Sequence, residues 1–216
     1  MLDIGCSSGF LLQEIRSSFP DAFVIGADVV RGPLLGLART QPDVPLLHFD
    51  LTRCPLADAS VDVVFLINVL EHIENDALAV QQLARILKPG GLAIVEVPAG
   101  PELYDHYDAL LMHYRRYRLA DVLRLFKAAG FEVLRASHLG FFLYPGFYAL
   151  KRLRRHRRDR ITPEQAEMLV RNDIHRTGGN PVLAALTRFE LLLGRAISFP
   201  CGIRCVLTAR RPAAEA

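Results

Sequence analysis

Two glycines and two aspartates stand where a nucleoside is bound in many α/β proteins. Gly5 and Gly9 bound a short turn after an apolar segment, and Asp28 and Asp50 each end a further apolar segment. A carboxylate placed like Asp28 can accept hydrogen bonds from both hydroxyls of a ribose. A carboxylate followed by Leu51 can accept one from an adenine amino group. Taken singly, each aspartate is as typical of a helix cap or turn, and the glycines of close packing. Together they predict a nucleoside site.

The spacing of the glycines restricts the kind of nucleoside. A dinucleotide-binding turn would need glycine at positions 5, 7 and 10, but this chain has Ser7 and Phe10. The sequence of a Walker phosphate loop is also absent. The turn therefore suits a nucleoside without a pyrophosphate. S-adenosylmethionine fits, because its amino-acid tail can lie against the backbone of the turn.

These residues need a sheet to bring them together, and apolar segments alternate with helical patterns along the chain. The predicted strands are Met1–Ile4, Phe23–Asp28, Pro45–Asp50, Val61–Ile67, Leu92–Val97, Phe131–His138 and Ile203–Arg210. The predicted helices are Ser8–Ser17, a helix with Pro33 in its first turn that ends near Arg39, Asp76–Leu87 and Leu119–Ala129. This alternation indicates an α/β fold with a doubly wound, mostly parallel, seven-stranded sheet.

The same pattern predicts how the chain is organised. Residues 1–216 are expected to form one domain, with a helical insertion over 139–200 before the last strand. Residues 1–97 form the predicted cofactor-binding half, and 98–138 with 201–211 the predicted substrate-side half. A loop over Pro98–Tyr117 is long enough to indicate a functional role.

Five motifs in the first half resemble, in order, those of class I S-adenosylmethionine-dependent methyltransferases. They are Leu2–Gly9, Gly26–Asp28, Phe49–Leu51, Val63–Ile73 and Leu87–Gly91. The stretch His113–Tyr117 is similar to a small-molecule and glycan-associated subset of that family. The resemblance implies a Rossmann-like fold and methyl transfer from S-adenosylmethionine to a small-molecule, lipid-linked or glycan-type acceptor.

The resemblance also assigns roles to the cofactor-site residues. Asp3 would orient the methionine amino group, and Asn68 would lie near the methionyl end of the cofactor. The remaining candidates are Gly5, Cys6 and Gly9 for the methionyl part, Asp28 and Val29 for the ribose, and Asp50 and Leu51 for the adenine.

Two features depart from the family pattern. Ser7 stands where the family usually has a second glycine. The chain also starts inside the first strand, so it is expected to lack the N-terminal helices that cover the cofactor in other members.

A base is needed only when the attacking atom is protonated at neutral pH, and two histidines are the candidates. His72 is expected to open the helix after the fourth strand, where packing or capping is an alternative role. His113 lies in the long loop, over the expected mouth of the site. Glu71 and Asp105 are weaker alternatives.

Two further loop residues are candidates for binding the acceptor. Arg116 and Tyr117 are predicted, with His113, to contact substrate, and an arginine there can clamp an anion through two hydrogen bonds. Solvation of the loop is the alternative role for the arginine. Asn68 is followed by Val69-Leu70 rather than Pro-Pro and an aromatic residue, which argues against the nucleic-acid amino-methylating subclass.

The insertion combines aromatic and basic residues. Phe141, Phe142, Tyr144, Phe147 and Tyr148 precede the run Lys151–Arg160, which holds seven positive residues. This combination is typical of a face that contacts an anionic membrane, and equally of a lid whose basic side is solvated. Residues from 148 onward carry 14 Lys or Arg against 6 Asp or Glu, whereas residues 1–147 carry 12 against 17.

Composition sets the remaining expectations. Four scattered cysteines and no clustered ligands predict neither a metal site nor disulfides. No signal peptide is visible, so the protein is expected in the cytoplasm, with peripheral contact to the inner face of the membrane as a further possibility. The alternatives to a small-molecule methyltransferase are a degenerate nucleoside-binding relative without turnover and an RNA methyltransferase.

Overall fold

The computed structural model describes residues 1–156 and 181–213. The strands are β1 (Leu2–Ile4), β2 (Ile25–Asp28), β3 (Leu46–His48), β4 (Val61–Ile67), β5 (Leu87–Pro98), β6 (Glu132–Leu139) and β7 (Arg204–Arg210). The α-helices within the described residues are α1 (Phe10–Ser18), α2 (Arg31–Thr40), α3 (Asp76–Ile86), α4 (His106–Leu110), α5 (Leu119–Ala128), α6 (Tyr144–His156) and α7 (Pro181–Leu193).

The strands form one seven-stranded sheet in the order β3-β2-β1-β4-β5-β7-β6. Strand β1 pairs in parallel with both β2 and β4, and the pairs β2–β3 and β4–β5 are also parallel. The order reverses between β1 and β4, and ligands bind at such a switch point in open α/β sheets. The prediction of a doubly wound, Rossmann-like α/β fold is confirmed.

The chain divides into two compact units. The first unit contains 1–96, 122–135 and the chain from 207 onward, and the second contains 97–121 and 136–206. The first unit therefore includes most of α5 and the start of β6, which the sequence analysis placed with the substrate-side half. Every predicted cofactor-site residue lies in the first unit.

The core of the first unit is built from strand residues with both faces covered. Leu2, Val64 and Leu66 are fully buried, as expected for strands in the middle of a parallel sheet. Helix α1 turns Leu12 and Ile15 inward, three residues apart and hence on one helical face. This packing fixes the strand ends that carry the predicted cofactor-site residues.

Several element boundaries differ from the predictions. Strand β2 begins at Ile25 and β3 ends at His48, so Asp50 lies two residues beyond its strand. Strand β5 begins at Leu87, five residues early, because Leu87 pairs with Val61 before a register shift and Gly90 donates to the carbonyl of Arg211. Residues 88–91, which separate the predicted helix from the predicted strand, are therefore part of the sheet.

The predicted loop over Pro98–Tyr117 contains a short helix. Asp105 caps α4 by accepting from the backbone N–H of Tyr107, at 3.0 Å, and the side chain of Asp108 accepts from the N–H of Asp105, also at 3.0 Å. This reciprocal arrangement is a capping box, which satisfies amide groups that a helix start leaves unpaired.

In the second unit, two helices of the predicted insertion are described. Buried Glu190 on α7 accepts from the N–H groups of Gly140 and Phe142, at 2.6 and 3.3 Å. The Phe199 ring stacks on Phe141 with centroids 5.0 Å apart. The rest of the insertion, 157–180, lies outside the described residues. No helix in the described part of the chain is long and apolar enough to span a membrane.

Candidate cofactor site and a buried charge cluster

The turn between β1 and α1 depends on residues with positive φ. Gly5 and Gly9 have φ values of +77° and +78°, and a Cβ on Gly5 would lie 2.4 Å from Cγ2 of Val69. The N–H groups of Gly5 and Cys6 both donate to the carbonyl of Ala27, at 2.8 and 3.0 Å. Glycine is therefore required at Gly5 both for its conformation and for space.

Asp28 holds this turn in place. Its Oδ2 accepts from the N–H of Ser7 at 2.9 Å, and its Oδ1 accepts from the N–H of Val30 at 2.8 Å. The carboxylate is buried at the end of β2. The turn role that the sequence analysis kept as an alternative is thus present, and each oxygen retains a second lone pair for a ribose hydroxyl.

Asp3 is a buried acid of the first unit with one unsatisfied oxygen. The residue is 2% exposed, and its Oδ2 has no hydrogen-bond partner among the described residues. Burial raises the pKa of Asp3 to about 7, and the nearby charge of Asp28 adds to the shift. A cation, or a water bound to one, would satisfy this oxygen. The site therefore fits S-adenosylmethionine, which carries both an ammonium and a sulfonium.

Replacing Asp3 with Asn is expected to stabilise the ligand-free protein at pH 8 by about 1–3 kcal/mol, because the neutral amide removes a buried negative charge. In the folded protein Asp3 keeps its proton up to pH about 7, whereas the ordinary value is 3.8, so its contribution to stability falls as pH rises through that window. Urea unfolding of both proteins at pH 5 and pH 8 tests this. An equal effect at both pH values would contradict it.

Ser7 adopts a left-handed conformation, with φ of +45°. That conformation costs a non-glycine residue about 1–2 kcal/mol, which exceeds the entropy that glycine adds to the unfolded chain. Ser7→Gly is therefore expected to stabilise the protein by about 0.5–1 kcal/mol in thermal unfolding. Its matched control is Ser8→Gly, because Ser8 is also exposed but lacks a positive φ. Stabilisation by both variants would refute the strain argument.

The remaining cofactor-site candidates occupy the neighbouring strand ends. Asp50 is exposed and caps a short 3-10 turn over Leu51–Arg53, accepting from the N–H of Thr52 at 2.8 Å. Leu51 is buried, and Val29 is 61% exposed beside Asp28. The adenine contacts of Asp50 and Leu51 and the ribose contact of Val29 therefore stay predictions.

Asn68 and Cys6 complete the predicted set. Asn68 follows β4 with a φ of +55°, and its N–H donates to the carbonyl of Glu96 at 2.9 Å. Burial raises the pKa of the Cys6 thiol to about 12, with Asp3 and Asp28 adding to the shift. Cys6 is therefore a neutral packing residue under the turn rather than a nucleophile.

His72 does not open a helix as the sequence analysis expected. It is exposed and ends a short 3-10 turn over Leu70–His72, and α3 begins four residues later at Asp76. Asn75 caps α3 by accepting from the N–H of Leu78, at 3.0 Å. The cap at Asn75 explains the later start. The catalytic role of His72 stays a prediction.

In the second unit, a buried charge cluster surrounds Asp108. Its Oδ1 lies 2.8 Å from Nε of Arg116 and 3.2 Å from Nδ1 of His113, and its Oδ2 lies 3.2 Å from Nζ of Lys151. Burial alone would raise the pKa of Asp108, but the His113 hydrogen bond and the Arg116 and Lys151 charges outweigh it and hold that pKa below its usual range. Asp105 joins the cluster through Lys151, at 2.7 Å.

Two predicted substrate residues are buried in this unit. Nη1 of Arg116 donates to the carbonyl of Ala99 at 3.0 Å, and its guanidinium lies 5.7 Å from the centroid of the Phe147 ring. Tyr117 is 4% exposed, and its backbone bridges to Ala99 in parallel. A substrate contact by either residue stays a prediction, as it does for His113.

The sequence analysis missed Asp108 and Lys151. Asp105 and Asp108 have the spacing of a capping box, so the sequence contained a signal for a helix that begins in the loop. Lys151 gave no such signal, because it stands at the start of a basic run that is typical of a solvated surface, yet it is 8% exposed.

Parallel strand pairing, the reversal of strand order and the glycine turn beside Asp28 are features of the class I methyltransferase fold. Residues 2–95 match the family described as a methyltransferase domain. This family similarity covers the amino-terminal part of the chain.

Individual relatives are also named as methyltransferases. A probable S-adenosylmethionine-dependent methyltransferase of Mycolicibacterium smegmatis is 33% identical over 138 residues, covering 62% of this chain and 52% of its own length. The malonyl-[acyl-carrier protein] O-methyltransferase of Methylococcus capsulatus is 32% identical over 94 residues, covering 42% of this chain and 34% of its own. The chain thus spans about half of the first relative and about a third of the second.

Among solved structures, phosphoethanolamine N-methyltransferase 2 of Haemonchus contortus, in complex with S-adenosyl-L-methionine, has a TM-score of 0.62 at 18% identity. The alignment covers 98% of this chain and 48% of that chain. At this identity the similarity shows the fold alone.

Proposed function

We propose that the protein binds S-adenosylmethionine in its first unit and transfers the methyl group to a small-molecule, lipid-linked or glycan-type acceptor. The observation that carries the proposal is the buried oxygen of Asp3, which has no partner in the described residues, beside Asp28 and the glycine turn of a methyltransferase domain. An unsatisfied buried oxygen costs stability, so its presence beside the glycine turn favours a role in ligand binding.

The chain's own residues bind and orient. The turn from Gly5 to Gly9 holds the methionyl part, Asp28 accepts from the ribose hydroxyls, and Asp50 with Leu51 binds the adenine. When bound, S-adenosylmethionine supplies a methyl carbon on a sulfonium that leaves as a neutral sulfide. Catalysis then depends mainly on aligning the attacking atom of the acceptor with the methyl carbon. The protein achieves this alignment by holding the acceptor and S-adenosylmethionine in place.

His113 is the proposed base, with Arg116 and Tyr117 beside it in sequence as proposed acceptor contacts. The need for a base depends on the acceptor. A carboxylate acceptor is ionised at pH 7 and needs no base, whereas a hydroxyl acceptor needs one. A malonyl group, which appears in the name of the Methylococcus capsulatus relative, carries such a carboxylate. His113→Gln should therefore abolish activity on hydroxyl acceptors and spare activity on carboxylates.

The test measures binding and turnover separately. Calorimetry with S-adenosylmethionine is followed by assays of S-adenosylhomocysteine release with small carboxylates, free sugars and lipid-linked sugars. Saturable binding with turnover on one class supports the proposal. Binding without turnover on any acceptor indicates a degenerate relative. Activity on RNA, with affinity that falls steeply as salt rises, indicates the RNA alternative.

We also propose that the insertion contacts an anionic membrane surface, which would suit a lipid-linked acceptor. Helix α6 exposes Leu150 and Leu153, and α7 exposes Phe189 and Leu192. The sequence next to them is the basic run Lys151–Arg160. Apolar side chains beside positive charge match the apolar interior and anionic headgroups of a lipid surface.

The protein is expected to pellet with vesicles that contain phosphatidylserine and much less with phosphatidylcholine vesicles, because each basic residue near such a surface contributes about 1 kcal/mol. Replacing Arg154, Arg155, Arg157 and Arg158 with Gln should release it. The matched control replaces the exposed Arg16, Arg39, Arg53 and Arg135 of the first unit with Gln. Equal pelleting with both vesicle types, or none, would contradict the proposal.

A further inference from the structure

The carboxylate of Asp108 accepts hydrogen bonds on every side. Oδ1 faces Nε of Arg116 and Nδ1 of His113, and Oδ2 faces the N–H of Asp105 and Nζ of Lys151. Two carboxylate oxygens offer about four lone pairs, so four donors fill them. The residue is fully buried, which leaves no room for solvent to replace a missing donor.

This arrangement determines which imidazole nitrogen carries the proton. The arginine, the lysine and the backbone amide can only donate, so Asp108 must be ionised and has no proton to give. The contact at 3.2 Å therefore requires His113 to donate from Nδ1. A neutral histidine that is protonated at Nδ1 has its lone pair at Nε2.

The main chain of His113 is also held by hydrogen bonds, to residues in and near α4. Its N–H donates to the carbonyl of Asp108 at 2.9 Å, and its carbonyl accepts from the hydroxyl of Tyr104 at 2.6 Å. The side chain of His113 is only 10% exposed. Backbone and ring are thus fixed together, and the ring cannot rotate without breaking its contact with Asp108.

Lys151 brings the insertion into this arrangement. It stands on α6 and pairs with both Asp105 and Asp108, at 2.7 and 3.2 Å. Its Nζ also lies 5.6 Å from the ring centroids of Tyr107 and Phe147. Arg116 and Lys151 together balance the charges of Asp105 and Asp108, so a neutral His113 leaves the cluster electrically neutral.

We propose that Asp108 is a positioning residue, which fixes His113 in the Nδ1-protonated form and so makes Nε2 the proton acceptor in methyl transfer. The inference rests on the proposed function for its catalytic part alone. As the acceptor oxygen or nitrogen bonds to the methyl carbon, its proton goes to Nε2. The electron pair of the broken sulfur–methyl bond stays on sulfur.

The first test needs neither turnover nor a variant of Asp108. Long-range ¹H–¹⁵N correlation spectra of the wild-type protein at pH 8 distinguish the two neutral forms of each of its seven histidines. His113→Gln identifies the signal of His113. A signal with the proton on Nδ1 is expected. A proton on Nε2 would overturn the inference whatever the protein's activity.

The second test separates positioning from a merely structural role. Asp108→Asn is expected to lower kcat on a hydroxyl acceptor at least about 100-fold, the smaller end of general-base effects, with the S-adenosylmethionine dissociation constant within twofold. The control is Glu102→Gln, which removes an exposed acid of the same unit outside the charge cluster. It should retain the wild-type form of His113 and most of the activity.

Other outcomes have distinct meanings. If Asp108→Asn does not fold, the wild-type spectrum still decides the inference. If Asp108→Asn lowers kcat while the His113 signal keeps its wild-type form, Asp108 does not set the protonated nitrogen of His113 and the inference fails. If wild type binds no S-adenosylmethionine but shows the Nδ1 form, the proposed function fails and only the tautomer assignment stands.

Discussion

Replacing Asp108 with Asn is expected to destabilise the protein by about 3–5 kcal/mol, the typical cost of removing one partner of a buried ion pair. The amide would leave Arg116 buried without the charge of Asp108 and Lys151 paired with Asp105 alone, because Asp108 is fully buried and contacts both cations. Urea unfolding at pH 7 measures the change.

The matched control is Asp62→Asn. Asp62 pairs with Lys88 at 2.8 Å, but both side chains are largely exposed, so the expected loss is below about 1 kcal/mol. Similar losses in the two variants would contradict the role assigned to burial.

The Asp108 cluster also predicts a pH dependence. The pKa of Asp108 lies below its usual range in the folded protein, so its stabilising contribution is complete above the ordinary value near 4. The contribution is lost as pH falls through the lower folded pKa. Acid unfolding of the wild type should therefore show a component that Asp108→Asn lacks.

Asp28→Ala is expected to weaken S-adenosylmethionine binding at least about tenfold, because charge-assisted hydrogen bonds to the ribose are lost. The structure adds a second consequence. The N–H groups of Ser7 and Val30 lose their acceptor, so unfolding free energy should fall by about 1–3 kcal/mol.

Calorimetry and urea unfolding measure the two effects of Asp28→Ala separately. The control Asp21→Ala removes an exposed acid of the same unit and should change neither. Unchanged affinity in Asp28→Ala would show that the ribose assignment is wrong.

The cofactor half of the fold was open to prediction because its signals are local. Gly5 and Asp28 stand at strand ends that the apolar pattern marks, and parallel pairing then places them at one edge of the sheet. Boundaries were less predictable. Asp50 was predicted to end a strand, but it caps a short 3-10 turn. The sequence does not distinguish these positions, because an aspartate after apolar residues is typical of both.

The charge cluster was not open to prediction because it depends on contacts between distant parts of the chain. Lys151 lies 43 residues from Asp108, and its sequence neighbours are those of a solvated basic surface. Arg116 was predicted to bind an anionic substrate, but in the structure its guanidinium donates to the carboxylate of Asp108. The sequence gives the charge of each side chain and its distance along the chain from other residues. Which oppositely charged group it pairs with depends on how the fold buries both groups.

One titration tests the central claim, that Asp3 and Asp28 form the site for S-adenosylmethionine. Calorimetry at pH 6, in two buffers with different ionisation enthalpies, measures both affinity and proton release. In the ligand-free protein the pKa of Asp3 is about 7, so most of the protein carries a proton there. A cationic ligand favours the ionised carboxylate. The account predicts saturable 1:1 binding with release of a large fraction of one proton, and no release in Asp3→Asn. Absence of binding, or the same release from Asp3→Asn, would contradict it.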